Sequence, residues 1–162
     1  MMSNGPSPII RQALPGDWRA VAALLEELGR PKALDIVEER AHCEHFATYL
    51  SRPDAEAFVA EIDGVVVGFV NVELRRRLNF LTPQGWIPEL VVSELWHGRG
   101  IGRALLARAE AAAIQRDCWS ITLESARWRH RAHAFYEVNG WVNGSVSFAK
   151  ALAGVPWPPS PA

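Results

Sequence analysis

Glu89-Leu90-Val91-Val92, then Ser93-Glu94-Leu95-Trp96, then His97-Gly98-Arg99-Gly100-Ile101-Gly102-Arg103-Ala104-Leu105-Leu106 reads as three things in a row. An apolar strand run ends, a glycine-rich turn follows, and a helical pattern begins at once. Three glycines, Gly98, Gly100 and Gly102, fall within five residues and cost backbone entropy, so the turn needs a reason to hold them. Close approach of an anion to the backbone is such a reason. The first N–H groups of a helix lack intrahelical partners, and the helix dipole favours negative charge there. Arg99 and Arg103 suit the same ligand class.

Two common phosphate motifs do not fit these glycines. A Walker loop ends in Gly-Lys-Ser/Thr, and no lysine follows Gly102. A dinucleotide fingerprint begun at Gly98 would place Arg103 where close helix–sheet packing wants a small residue, and it would lie past the midpoint of the chain.

The flanking residues add more. Leu90-Val91-Val92, the intervening Ser93 to Trp96, and His97-Gly98-Arg99-Gly100-Ile101-Gly102 together resemble the acetyl-CoA signature of the GNAT N-acetyltransferase superfamily, Arg/Gln-x-x-Gly-x-Gly/Ala. Gly100 and Gly102 match the signature's glycines, while His97 stands where the family prefers Arg or Gln. A second block, Arg131-Ala132-His133-Ala134-Phe135-Tyr136-Glu137-Val138-Asn139-Gly140-Trp141, is similar to the family's Asn-x-x-Ala-x-x-Phe-Tyr-x-x-x-Gly-Phe, with Arg129 in the place of its asparagine. Both blocks have the family's order and spacing. The resemblance runs from about Ile9 to about Leu152.

It implies an α/β fold: a mixed, mostly antiparallel twisted sheet of six to seven strands, splayed between the fourth and fifth, with about four flanking helices. The pattern along the chain agrees. Ile9–Ala13 suits a strand, and Pro15 opens a helix with Val21, Leu24, Leu25 and Leu28 at helical spacing. A second helical region covers about Leu34 to Leu50. Phe58–Ile62, Asp63-Gly64 and Val65–Leu74 give the strongest hairpin signal. A strand from Trp86 to Val92, a helix from Gly100 to about Arg116, a strand Ser120–Glu124 and a helix Arg131–Asn139 follow, with a closing hairpin about Asn143-Gly144. The expected organisation is a flexible arm over residues 1–8, one domain over 9–153 and a proline-rich tail over 154–162.

Composition bounds the partners. Of 162 residues, 49% are hydrophobic and 22% charged, as in ordinary soluble domains. Seventeen basic and 18 acidic side chains give a net charge of −1, so no bulk attraction to nucleic acid or an anionic membrane is expected. Cys43 and Cys118 have no metal spacing and fit reduced thiols. His42 with His45, and His130 with His133, are spaced for a helix face but lack further ligands, so no metal is expected. No secretory leader pattern opens the chain, so a cytoplasmic location is expected. A homodimer is left open.

Chemistry assigns roles within the resemblance. An amine of pKa about 10.4 is neutral in only about one molecule in 2,500 at pH 7, a deficit of about 4.6 kcal/mol. Acetyl transfer from a thioester therefore needs a proton acceptor, donors for the developing oxyanion, and a proton donor for the departing thiolate. The resemblance gives the first task to Glu89, at the start of the strand run, and the second to the backbone N–H of Val91 or Val92. It gives the third to Tyr136. Acetyl-CoA, as co-substrate, would be held by Leu90, Val91, Val92, His97, Gly98, Arg99, Gly100, Ile101, Gly102, Arg103 and Arg129.

The acceptor is less legible. Arg75-Arg76-Arg77 would suit an anionic group if turned inward, and the stretch Glu89 to Leu90-Val91-Val92 with the ending Phe148-Ala149-Lys150-Ala151-Leu152 is somewhat similar to aminoalkylphosphonate acetyltransferases of the superfamily. Trp86, Trp96, Trp128 and Trp141 could equally floor an aromatic or peptide site. Three readings stand: a small-molecule amine N-acetyltransferase, a protein or peptide N-acetyltransferase, and a non-catalytic CoA-binding regulatory module.

Overall fold

A computed structural model describes residues 7–152. The expected arm over residues 1–8 and tail over 154–162 fall wholly or largely outside them. The described residues form two compact units divided between Leu123 and Glu124.

The first unit carries the sheet. Strand β1 is Ile9–Gln12, followed by a 3-10 turn over Pro15–Asp17 and helix α1, Trp18–Glu27. Helix α2 is Ile36–Leu50, and the hairpin strands are β2, Ala55–Ile62, and β3, Val65–Arg75. Then come β4, Gln84–Ile87, β5, Leu90–Val92, helix α3, Ile101–Gln115, and β6, Ile121–Leu123. The six strands run in the order β1-β2-β3-β4-β6, with β5 also paired to β3. All pairs are antiparallel except β4 with β6.

The hairpin forms as its sequence dictates. Asp63 and Gly64 both take positive φ, 49° and 79°, as a type I′ turn requires. β2 and β3 are almost continuously apolar because both of their faces are covered. On one face Ala57, Val59 and Phe69 pack with Val21 and Leu24 of α1 and Phe46 of α2. On the other, Gly68 receives Leu105 and Ile101 of α3; a Cβ at position 68 would lie 2.8 Å from Leu105 Cδ1 and 3.2 Å from the Val91 carbonyl. The bare backbone of Gly68 therefore lets the start of α3 settle directly over β3 and β5.

Trp86 to Val92, expected as one strand, is two. β4 pairs with the end of β3 through Glu73↔Trp86, and β5 with its middle through Phe69↔Val91. Pro88 has no N–H to give a ladder, and the break falls at Pro88-Glu89. The parallel pairing of β4 with β6 stops at Ile87↔Leu123, so among the described residues the outer edge of β5 has no strand beside it.

In the second unit, helix α4 covers His130–Val138. It closes on Gly140, φ 86°, with Trp141 N–H donating to the Tyr136 carbonyl at 3.0 Å. The expected closing hairpin does not form: residues 141–152 contain no strand, and Val142, Val146 and Phe148 are exposed. Neither Asn143 nor Gly144 adopts the positive φ that the tight turn needs, and a hairpin without a covered face is marginal by itself.

Candidate functional site

The break between β4 and β5 brings together what the sequence had offered separately. The Glu89 N–H, which a regular ladder would give to a backbone carbonyl, goes instead to the side-chain Oδ1 of Asn71 at 2.9 Å. The Asn71 N–H donates to the Glu89 carbonyl at 3.2 Å. Asn71 is buried, and its Nδ2 donates to the Tyr49 hydroxyl at 2.9 Å. Burial and the nearby Glu73 carboxylate push the Tyr49 hydroxyl well above the usual phenol range, so it stays protonated. The Glu89 backbone is thus held by a satisfied buried network rather than by the strand ladder alone.

The Glu89 carboxylate meets Arg30. Nε of Arg30 donates to both carboxylate oxygens, at 3.0 and 3.1 Å, and Nη2 to Oε2 at 3.0 Å. Arg30 stands just past α1 because the helix ends in a Schellman motif. Gly29 at φ 92° donates to the Glu26 carbonyl, and the Arg30 N–H donates to the Leu25 carbonyl, both at 2.9 Å.

Next along β5 the backbone alternates. The bonds from Asn71 N–H to Glu89 and from Ser93 N–H to Val67 bracket Phe69↔Val91 as a mutually bonded pair. Hence the Val91 N–H points into the sheet, and those of Leu90 and Val92 face the open edge. Of the two amides expected for an oxyanion, Val91 is therefore committed to β3, and Val92 is the one exposed on that edge. The Val92 carbonyl, also on the open side, accepts a hydrogen bond from His97 Nε2 at 2.7 Å. That bond gives one ring nitrogen of His97 a partner at the strand end, so a phosphate would have to be met through the other.

The turn itself is braced from α1. Glu27 accepts the Ser93 hydroxyl at 3.1 Å and the Glu94 N–H at 2.9 Å. Gly98 and Gly100 take φ of 76° and 77°, a region that costs an L-residue about 1–2 kcal/mol. A Cβ at either would meet nothing within 4 Å, so backbone conformation and not crowding within the protein requires glycine here. Gly100 is the N-cap of α3 and supplies no side-chain cap, so the N–H groups of Ile101, Gly102 and Arg103 have no intrahelical acceptor. Arg99 lies over the Trp96 ring at 4.7 Å.

The other two expected site residues lie in the second unit, which is described by itself. Tyr136 is half-buried on α4, with Phe135 at 5.3 Å and Trp141 at 5.9 Å between ring centroids. Burial raises its hydroxyl above the ordinary phenol range, and the Arg129 charge partly offsets this. Arg129 is the N-cap residue of α4. His133 bonds the Ala126 carbonyl at 3.0 Å through its ring, which gives that histidine a structural partner.

Arg75 is drawn over the Trp86 ring at 3.5 Å, while Arg76 and Arg77 are exposed. Among the described residues no group of three or more His, Cys, Asp or Glu side chains could hold a metal ion. No described helix is long and apolar enough to cross a membrane. Asn71 and Arg30 were not singled out by the sequence. Asn71 had one signal, as the sole polar side chain between Val65 and Val72. Arg30 had none beyond its place after the helix-stopping Gly29.

Comparison with known proteins shows the family. The chain is 32% identical over 143 residues to an aminoalkylphosphonate N-acetyltransferase of Salmonella typhimurium, covering 88% of this chain and 90% of that one. It is 34% identical over 141 residues to an aminoglycoside N(6')-acetyltransferase type 1 of Stenotrophomonas maltophilia, covering 83% and 86%. In fold it is similar to an aminoglycoside N-acetyltransferase solved in complex with CoA, with a TM-score of 0.77 at 19% identity over 94% of this chain and 100% of that one. Residues 18–141 match the profile of the acetyltransferase (GNAT) family. The chain belongs to that family of acetyl-CoA-dependent N-acetyltransferases.

Proposed function

We propose that this protein moves an acetyl group from acetyl-CoA directly to the primary amine of a small molecule, and that residues 9–153 act as one catalytic domain. The observation that carries the reading is the break at Pro88-Glu89, which sets a carboxylate beside two outward-facing amides at one strand edge.

The residues present fit the cofactor. Unpartnered N–H groups at the start of α3, with Arg99 and Arg103 beside them, suit the pyrophosphate. The open-edge amides of Leu90 and Val92 suit the extended amide-bearing arm of CoA and the thioester oxygen. When bound, acetyl-CoA supplies the activated acyl group.

Glu89 then accepts the ammonium proton, directly or through a water, once Arg30 has released an oxygen. The Val92 N–H donates to the acyl oxygen as that oxygen gains charge. Tyr136, held protonated by burial, is the donor to the departing sulfur. Because a phenol above its ordinary range is a weaker acid than a thiol, its contribution begins as a hydrogen bond to the thiolate. Arg129 joins the cofactor-binding set through its charge.

Purified protein with acetyl-CoA and a panel of primary amines, read by thiol release, tests the reading. Turnover is expected with small amines, and Glu89→Gln should lower kcat/KM by about 10²–10⁴-fold near pH 7, less at high pH where free amine is abundant. Absence of thiol release across the panel in protein that binds CoA would refute it.

A further inference from the structure

We propose that Arg30 is the specificity-determining residue of the acceptor site. In the free protein it occupies the cation's place on Glu89, and it yields that place to an amine that carries its own oxyanion, which Arg30 then binds. The inference rests on Glu89 lying at the acceptor site.

Three observations carry it. First, the guanidinium approaches Glu89 with one edge only, Nε and Nη2; Nη1 makes no hydrogen bond among the described residues. The second edge, Nη1 with Nη2, remains a fork of the shape that takes two oxygens of a phosphonate or carboxylate. Second, the two partners differ in how firmly they are held. The Glu89 side chain is 19% exposed on a backbone fixed by Asn71, whereas Arg30 is 51% exposed on the loop between α1 and α2. An ion pair that is half in water holds little energy, so exchange of its cation is cheap. Third, the Schellman turn at Gly29 anchors Arg30 at its backbone, so the displaced guanidinium stays beside the site.

Charge then selects among amines. A zwitterion with ammonium and oxyanion a few bonds apart leaves all four charges paired after the exchange. A plain monoamine leaves Arg30 unpaired, and a polycation adds like charge beside it. Of the two relatives' substrate classes, this favours an aminoalkylphosphonate over an aminoglycoside.

The test compares 2-aminoethylphosphonate, β-alanine, propylamine and 1,4-diaminobutane with wild type, Arg30→Ala, Arg30→Lys and Arg30→Glu, in CoA-loaded protein for calorimetry and with acetyl-CoA for turnover. Arg30→Ala should raise KM and Kd for the phosphonate by about tenfold or more, with kcat changed less than about threefold. Its kcat/KM for propylamine should hold or rise. Arg30→Lys should recover part of the loss, and Arg30→Glu should shift preference toward the diamine. A parallel shift for β-alanine extends the site to carboxylates, and its absence confines the site to phosphonates; both support the role of Arg30. Equal losses for all amines, an unmoved phosphonate KM, or no phosphonate binding by wild type at millimolar concentration would overturn it. Failure of the Glu89 assignment reads differently: Glu89→Gln would leave the propylamine pH profile unchanged whatever Arg30 does.

Discussion

The Asn71 side chain accepts the Glu89 N–H at 2.9 Å, standing in for the backbone acceptor of a regular ladder. One buried amide thus fixes the residue that follows the break at Pro88. Its other end is spent on Tyr49, so none of its polar atoms is idle.

Removing that amide should be felt in two ways. Asn71→Ala leaves the Glu89 N–H and the Tyr49 hydroxyl without their partner, at a cost of about 2–3 kcal/mol in stability. Acetylation should fall mainly through kcat, while CoA affinity, which the proposal assigns to the turn after β5, should change by less than about threefold. Thermal melting, calorimetry with CoA and steady-state kinetics separate these effects. A variant that melts early yet turns over at the wild-type rate would reduce Asn71 to a packing role.

At Gly100 the expectation is a binding defect with modest destabilisation. Gly100→Val forces a branched side chain into φ 77°, costing about 2 kcal/mol, and reorients the amides that begin α3. CoA affinity should drop by about tenfold or more while circular dichroism remains native. Calorimetry showing unchanged affinity in a folded variant would remove the cofactor assignment from this turn.

Tyr136→Phe keeps the ring against Phe135 and Trp141, so stability should stay within about 1 kcal/mol of wild type. CoA affinity should hold. The expected loss is in kcat, about 10²-fold, provided acyl transfer is rate-limiting for the chosen amine. Wild-type turnover under that condition would point to a water or to Ser125, whose buried hydroxyl has no hydrogen-bond partner among the described residues.

Stability against acid follows from the Arg11 cluster. Arg11 pairs with Asp17 at 2.8 Å and with Glu61 at 2.8 Å, and Asp17 also accepts the Leu14 N–H at 2.7 Å. The Arg11 hydrogen bond holds the Asp17 carboxyl below its ordinary 3.8. A depressed folded-state value stabilises above the unfolded one and is lost as pH falls through the folded one. Asp17→Asn should therefore cost about 1 kcal/mol at pH 7 and show a smaller decline than wild type between about pH 4 and pH 2. Denaturant melts across that range measure it; parallel curves would mean that Asp17 adds nothing to acid sensitivity.

What could be read from the sequence was what depends on neighbours along the chain. Asp63-Gly64 announces a turn because both residues tolerate positive φ, and Gly100 announces the start of α3 for the same reason. The period of Val21, Leu24 and Leu25 finds α1 without help. Asn143-Gly144 carries the same local chemistry as Asp63-Gly64 and yet makes no turn, and neither of its flanks forms a strand. Arg30 and Glu89 are 59 residues apart, and Asn71 and Glu89 are 18 apart. Such pairings exist only after the sheet has formed, so no spacing rule exposes them. The proposed acceptor end of the site was accordingly far less legible than the glycine turn.

Gly68 sets a tolerance for everything built on the far side of the sheet. A single methyl group at that position would have to displace the Leu105 side-chain end, and the Val91 carbonyl, 3.2 Å away, would have to give as well. If the α1–α2 loop selects the acceptor as proposed, divergence can rework it freely, but it has little latitude at position 68, beneath the start of α3. In a directed-evolution library, position 68 is the one to leave fixed and position 30 the one to randomise.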